Sequence, residues 1–412
     1  MFEYLKNHWI KILVILLVFV ASLGRFEYKM PKRNFADFHA YYYTGQKMLK
    51  GENIYDDNAY RKDGMANFKY PPIFAAITAL FALAPERAAA TIWFIFNFLL
   101  IILFIYYSGR LIFGRDLTGR QKNWVYFWSL LMTARFYMQN FDEGQVNFLM
   151  MTTLLLGIYS MSKKKEFLAG VLIGFSSLVK YMSAIFIPYF LFKKRFKIVF
   201  YTLLSLVIFS LLPALFLGWG RNLSLQKDFF PYLCKTSLDM HSLSDYANQS
   251  IMATVVRFFS DHGSYGINLL CLNDYALVFI SGVIYIFMFI LSVYPVKTDK
   301  LFGLNGNFNK VDIALIFICI ALFNPNAWMH AFIFLTFGYM VVFFYLYKVK
   351  FNDKPVIGLV VLSFILHSLT ASLLTRFWAG NSFEVYSFVT FGAIALFVAL
   401  IKIKFFPSPI KQ

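Results

Sequence analysis

Charge is scarce in this chain: only 15% of its 412 residues are Asp, Glu, Lys or Arg, and just 21 are acidic. That shortage, set against 59% hydrophobic residues, excludes an ordinary water-soluble globule. Cysteine is nearly missing, and Cys234, Cys271 and Cys319 stand at no metal or redox spacing, which excludes a disulfide framework and a zinc module. No internal repeat, low-complexity tract or soluble domain interrupts the pattern, so solenoids and tethered domains are excluded too. The apolar run from Trp9 to Gly24 follows Lys6 but no small-residue cleavage site of the A-x-A kind follows it, so it is expected to stay as a first span.

What is present is apolar and aromatic. Phe (51) and Tyr (26) dominate, and the mean hydropathy of +0.62 is that of an integral membrane protein. Crossing the hydrocarbon takes about 20 apolar residues. Runs suited to spans fall at 9–24, 91–109, 124–139, 146–161, 198–218, 272–295, 311–323, 330–347, 355–371 and 385–401. The expectation is an all-α polytopic membrane protein with about 10–12 transmembrane helices and juxtamembrane helices in its first outer loop. Residues 167–192 lie between Lys163-Lys-Lys165 and Lys193-Lys-Arg195 and read as a hairpin with Lys180 near its tip. Ile73 to Ala84 is too short to cross and opens after Pro71-Pro72, which suits a helix lying at the membrane surface. Phe38 to Lys50, ending at Gly51, suits a second, amphipathic one.

The net charge of +18 divides unevenly. With the N-terminus inside, the cytoplasmic segments carry a net +16 and the remainder +2, although loop 25–70 alone holds nine Lys and Arg beside six acids. Basic loops against anionic inner-leaflet lipid account for the high pI, and no nucleic-acid partner is needed. The chain is expected to be a single membrane domain over 1–412, with outer loops at 25–90 and 219–271.

Candidate chemistry gathers at the membrane faces. Asp37 at the start of the 38–50 helix reads either as its N-cap or as a general base for an acceptor hydroxyl, and a capped carboxylate is also an oriented one. Lys180, flanked by apolar runs, reads either as a phosphate ligand or as a snorkelling side chain. Arg257 in the second loop divides between phosphate ligand and interfacial anchor. Asp142-Glu143 is either a weak divalent-ion site or a solvated turn favoured by the next helix dipole. His330, two residues after Trp328, is a belt residue or a hydrogen-bond partner for substrate. His39 would point away from Asp37, and His367 reads as helix packing. Tyr41-Tyr-Tyr43 reads as interfacial anchoring or sugar stacking. Asn248 is a candidate substrate ligand, and Glu384 and Arg376 in the last outer loop touch the acceptor or nothing.

The order of motifs is more specific than any one of them. Asp37-Phe38 precedes a Tyr-rich helix, then come Gly51-x-x-Ile-Tyr55, Tyr70-Pro-Pro72, Gly144-Gln-Val-Asn147, Lys180 and Pro188 after a Gly-rich run, Asn248-Gln-Ser250 with Arg257, and Trp328-x-His330. Over roughly residues 1–345 this resembles glycosyltransferase family 87, within the wider GT-C class. The resemblance implies a GT-C-like fold and an inverting transfer of mannose or a related hexose or pentose from a polyprenyl-phosphate donor to a lipid or glycan hydroxyl. It places the active site outside the cell (inner) membrane, with Asp37 as base and Lys180, Arg257, His330, Asn248, Gln145 and Tyr70 around the substrates. No cofactor is implied, a divalent cation at Asp142 and Glu143 being the one alternative; the single first-loop Asp, with no Asp-x-Asp, departs from the metal-dependent GT-C pattern. A lipid or sugar flippase and an oligosaccharide polymerase or ligase are the rival classes. Flippases and other transporters usually show repeated halves and midplane charges, which are missing here.

Overall fold

The computed structural model describes residues 2–29, 35–55, 68–114, 116–263, 265–296, 302–303, 309–370 and 381–409. Arg376 lies outside them. In chain order the main helices are α1 (Phe2–Lys29), α2 (Ala36–Lys50), α3 (Pro72–Phe81), α4 (Glu86–Ile112), α5 (Gly119–Glu143), α6 (Asn147–Ser162), α7 (Glu166–Val179), α8 (Phe186–Phe192) and α9 (Phe196–Leu211). They continue as α10 (Trp219–Ser237), α11 (Ile251–Phe259), α12 (Asp274–Val293), α13 (Lys310–Phe323), α14 (Leu335–Lys348), α15 (Lys354–Phe364) and α16 (Phe388–Phe405). Among the described residues there is no strand, only the isolated bridges Asn248–Trp328 and Gly303–Asn309. Helices Glu86–Ile112, Phe196–Leu217, Asp274–Val293, Met329–Lys348 and Phe388–Phe405 are long and apolar enough to cross a bilayer, and further apolar helices of 10–17 residues stand beside them. The chain is an all-α polytopic membrane protein.

Its centre is the continuous helical stretch Met329–Lys348, whose apolar window is wholly buried in protein. Having no lipid-facing side, it shows no amphipathic stripe, as expected of a helix surrounded by others. Close approach elsewhere depends on small residues. On α7, Gly170 and Gly174 lie one turn apart against α9, where a Cβ would come within 2.9 Å of the backbone of Thr202. Lys180 then breaks the helix with an extended backbone before the 3₁₀ turn Tyr181–Ile185, which forms the tip of the hairpin read from the sequence.

Two surface expectations change. α2 is sunk among its neighbours: Phe38, Tyr41, Tyr42, Gly45 and Met48 are buried, and only its last turn, at Leu49 and Lys50, opens outward. The reason is α3, which packs across it so closely that a Cβ on Gly45 would stand 2.6 Å from the carbonyl oxygen of Thr78. Tyr41 is accordingly core and not an interfacial anchor. Its hydroxyl pairs with that of Tyr70 at 2.8 Å, and Tyr55 donates to the Tyr70 carbonyl at 2.9 Å, so Gly51-x-x-Ile-Tyr55 and Tyr70-Pro-Pro72 form one packed corner.

Candidate active site

Asp37 lies in the first turn of α2 but does not cap it. The cap position is Phe35, with no side-chain hydrogen bond to the helix, and the Asp37 carboxylate turns instead toward the start of α6. There the side-chain amide of Gln145 donates to Oδ2. Gly144 makes that turn feasible. It ends α5 in a left-handed conformation (φ 67°), its carbonyl accepts from the Trp93 indole at 2.8 Å, and any Cβ would strike the Phe35 ring and the Phe38 Cβ.

Two cations face this carboxylate. Lys180, from the broken hairpin, and Lys69, just before Tyr70, both act on Asp37 electrostatically. Burial is the stronger influence, and it lifts the Asp37 carboxyl to about 6, with Lys180, the Gln145 hydrogen bond and Lys69 pulling the other way. Burial also pushes the Tyr41 and Tyr70 phenols upward, and the Asp37 charge adds to this, so both remain neutral donors.

Lys180 is held by Asn147, whose Oδ1 accepts from Nζ at 2.8 Å. Asn147 and Asn140 in turn donate to the main-chain carbonyl of His330, at 3.3 and 2.7 Å, and Asn147 also donates to Asn140 Oδ1 at 3.1 Å. This amide ladder fixes the start of the 3₁₀ turn Met329–Phe334. It leaves the buried Nδ1 of His330 with no hydrogen-bond partner among the described residues. A cavity of about 10 Å³, room for roughly one water, lies between Asn147, Lys180 and Asn324.

The structure thus gathers Asp37, Gln145, Lys180 and Tyr70, with His330 reached through Asn147. Arg257 and Asn248 serve elsewhere. Arg257 is 2% exposed and donates to the carbonyls of Asp245 and Asn248 and to Ser387 Oγ, at 2.6–2.7 Å. The guanidinium so placed ties these segments together, while its buried Nε has no hydrogen-bond partner among the described residues. Asn248 donates to the Pro325 carbonyl at 2.7 Å and accepts from the Ala327 amide at 3.2 Å, which sets the strand-like segment leading into His330. Asp142 is gripped by Arg25 through two bonds of 2.9 and 2.7 Å, and among the described residues no group of three or more His, Cys, Asp or Glu is placed to hold a metal ion. His39 pairs with Glu86, and His367 is buried between Tyr339 and Ser368. Glu384 meets Arg135 at 3.2 Å.

Lys69, Asn140, Asn147 and Arg135 were not singled out by sequence reasoning. Asn147 carried a signal, being a polar residue opening an apolar helix inside a motif already noted, and Lys69 adjoined Tyr70-Pro-Pro72. Asn140 and Arg135 gave none beyond being polar within a span.

Against known proteins, the family model described as glycosyltransferase family 87 matches residues 68–304. No curated protein and no solved structure matches.

Proposed function

The chain belongs to glycosyltransferase family 87 and is a membrane glycosyltransferase, and from that premise we propose that it moves a sugar from a polyprenyl-phosphate donor to a hydroxyl of a lipid or glycan, with Asp37 as general base. The observation that carries this reading is the cluster of one buried carboxylate, lifted to about 6 by burial, with two lysines acting on it. Gln145 occupies Oδ2 and so orients Oδ1 toward an incoming hydroxyl. In the transfer the acceptor O–H gives its proton to Asp37 as the acceptor oxygen bonds to the anomeric carbon. The bond from that carbon to the phosphate oxygen breaks, and its electron pair leaves with the polyprenyl phosphate. Charge grows on that phosphate as the sugar turns cationic in character, and Lys180 with Lys69 is suited to meet it. Attack opposite the departing phosphate inverts the anomeric centre. The unpartnered Nδ1 of His330 is available for a sugar hydroxyl.

The strong inward bias of basic residues supports a cytoplasmic N-terminus with the Asp37 face on the opposite side of the membrane. Mannose is the first sugar to try. The test is transfer of radiolabelled sugar from a synthetic polyprenyl-phosphate donor into membrane glycolipid, comparing wild type with Asp37→Asn at matched expression. Incorporation by wild type alone is the expected result, and equal incorporation by both removes Asp37 from the mechanism.

A further inference from the structure

Arg135 is the one cation the chemistry above does not use that lies among the residues leading to His330. It stands on α5 eight residues before Glu143, roughly 12 Å in from the end of the helix, where a charge is costly unless it has a task. Its side chain is 18% exposed, and that of Glu384, which it meets at 3.2 Å, is 5% exposed. Three acceptors from three segments share its guanidinium: Nη2 donates to Glu384 Oε1 and, at 3.5 Å, to Met329 Sδ, while Nη1 donates to the His367 carbonyl at 2.5 Å. His367 lies in the π-helical turn Ile365–Leu369 that follows α15, a local irregularity of the kind found at functional sites. A planar fork can serve all three acceptors at once, and a lysine cannot.

These contacts close a ring around His330. A 3₁₀ turn is poorly bonded within itself, so Met329–Phe334 takes its setting from outside. On one side Asn140 and Asn147 hold the His330 carbonyl. Ahead of the turn, the Gln249 backbone N–H donates to the Ala327 carbonyl at 2.8 Å, and Trp328 pairs with Asn248 in an isolated bridge. The Gln249 side-chain amide then donates to the main-chain carbonyl of Glu384 at 2.7 Å. The Glu384 carboxylate leads back to Arg135, and Arg135 to Met329, the residue before His330. Arg135 and Asn140 share α5, so the ring begins and ends on one helix. What it surrounds is the buried Nδ1 of His330, which has no partner among the described residues.

We propose that Arg135, through its pair with Glu384, is a positioning residue that fixes the His330 ring for the sugar hydroxyl it meets during transfer. The role in transfer rests on the transferase reading and on His330 as the hydroxyl's partner, while the ring of contacts rests on geometry alone. Arg135→Met with Glu384→Gln in the same chain removes the tie without leaving a buried charge unpaired. Its kcat/KM for sugar transfer is measured with His330 present and again with His330→Ala. Loss of the tie is expected to cost about tenfold with His330 in place and less than about twofold without it, because neighbours that act through one another are not additive. Equal losses in the two backgrounds mean a merely structural tie and overturn the proposal, as does full activity in His330→Ala alone. Arg135→Lys, which keeps the charge and loses the fork, is expected to fall between wild type and the paired variant, and it carries the same cycle if the paired variant does not fold. Hydrogen exchange of the full protein in nanodiscs gives a readout that needs no turnover. Amides of 327–334 are expected to exchange about tenfold faster in the variant while those of α9 stay unchanged, and unchanged exchange at 327–334 overturns the clamp. Faster exchange there, with wild type transferring no sugar from any donor, would sink the transferase reading and leave the clamp on His330 standing.

Discussion

Asp37 is the residue on which the chemistry turns, and its burial makes two measurable demands. A carboxyl lifted to about 6 is protonated below that pH and cannot accept a proton, so kcat/KM is expected to fall as pH drops through 6, approaching tenfold per unit. Stability should move oppositely. A raised carboxyl favours the folded state most fully below its ordinary value near 3.8, and that contribution is lost as pH rises through 6. Asp37→Asn is therefore expected to gain roughly 1–3 kcal/mol at neutral pH while losing about 10²–10⁴ in kcat. Thermal unfolding in detergent and single-turnover transfer measure the two. Lys180→Met separates a phosphate role from mere packing. Removing the cation that lowers Asp37 should move the acid limb of the pH profile upward, and losing a charge-assisted contact to phosphate should cost about 10–100-fold in kcat/KM. A lysine that only snorkels would leave the limb where it was. The side chains legible in advance, Asp37, Gln145, Lys180, Tyr70 and His330, were ionisable or aromatic groups at unusual depth or in motifs. Arg257 stayed ambiguous because a cation in a polar loop looks the same in sequence whether it binds phosphate or backbone carbonyls.

At the scale of elements, the site depends on how far α2 can sink beside α3. Both helices were legible from their apolar positions and from Pro72 and Gly51 at their ends, yet a surface location for α2 was the natural reading of its polar residues. What the pattern does not reveal is that Gly45 and Thr78 let the two backbones meet. Gly45→Ala places a methyl group 2.6 Å from the Thr78 carbonyl oxygen, and a backbone atom cannot rotate aside. α2 must shift, taking Asp37 with it. The expected outcome is a loss of about 1–3 kcal/mol in stability together with a fall in kcat that added donor does not restore. Thermal melts and saturation kinetics on the same preparation would show it; a variant with only a raised KM would mean that the α2–α3 crossing does not set the base. The amide ladder Asn140–Asn147–His330 teaches the same lesson. Its members lie on three elements, and their contacts with one another could not be read until the helices brought them together.

For the molecule as a whole, the class and most helix positions were readable because about 20 apolar residues are needed to cross a bilayer. The interior order of the helices was not, since lipid-facing and protein-facing sides are equally apolar. What specifies that order includes buried ions far along the chain from the site. Asp312, 2% exposed on α13, meets Lys193 and Lys404 at 2.8 Å each, joining the end of the hairpin to the last helix. Lys404 also donates to the carbonyls of Leu291 and Ser292 at the end of α12, at 3.1 and 2.8 Å. Three elements thus meet at one carboxylate, and α12 joins them through Lys404. Removing it leaves two buried ammonium groups, of which Lys404 keeps its carbonyls and Lys193 is the more exposed to loss. Asp312→Ala is expected to cost roughly 3–5 kcal/mol of stability and much of the folded yield, because an unpaired buried charge is penalised more than the intact pair stabilises. Transfer per folded molecule should stay near wild type, since the tie touches none of the residues around Asp37. Substituting Lys193 by Met in the Asp312→Ala background should restore part of the melting temperature, a recovery that a purely volumetric defect at Asp312 would not show.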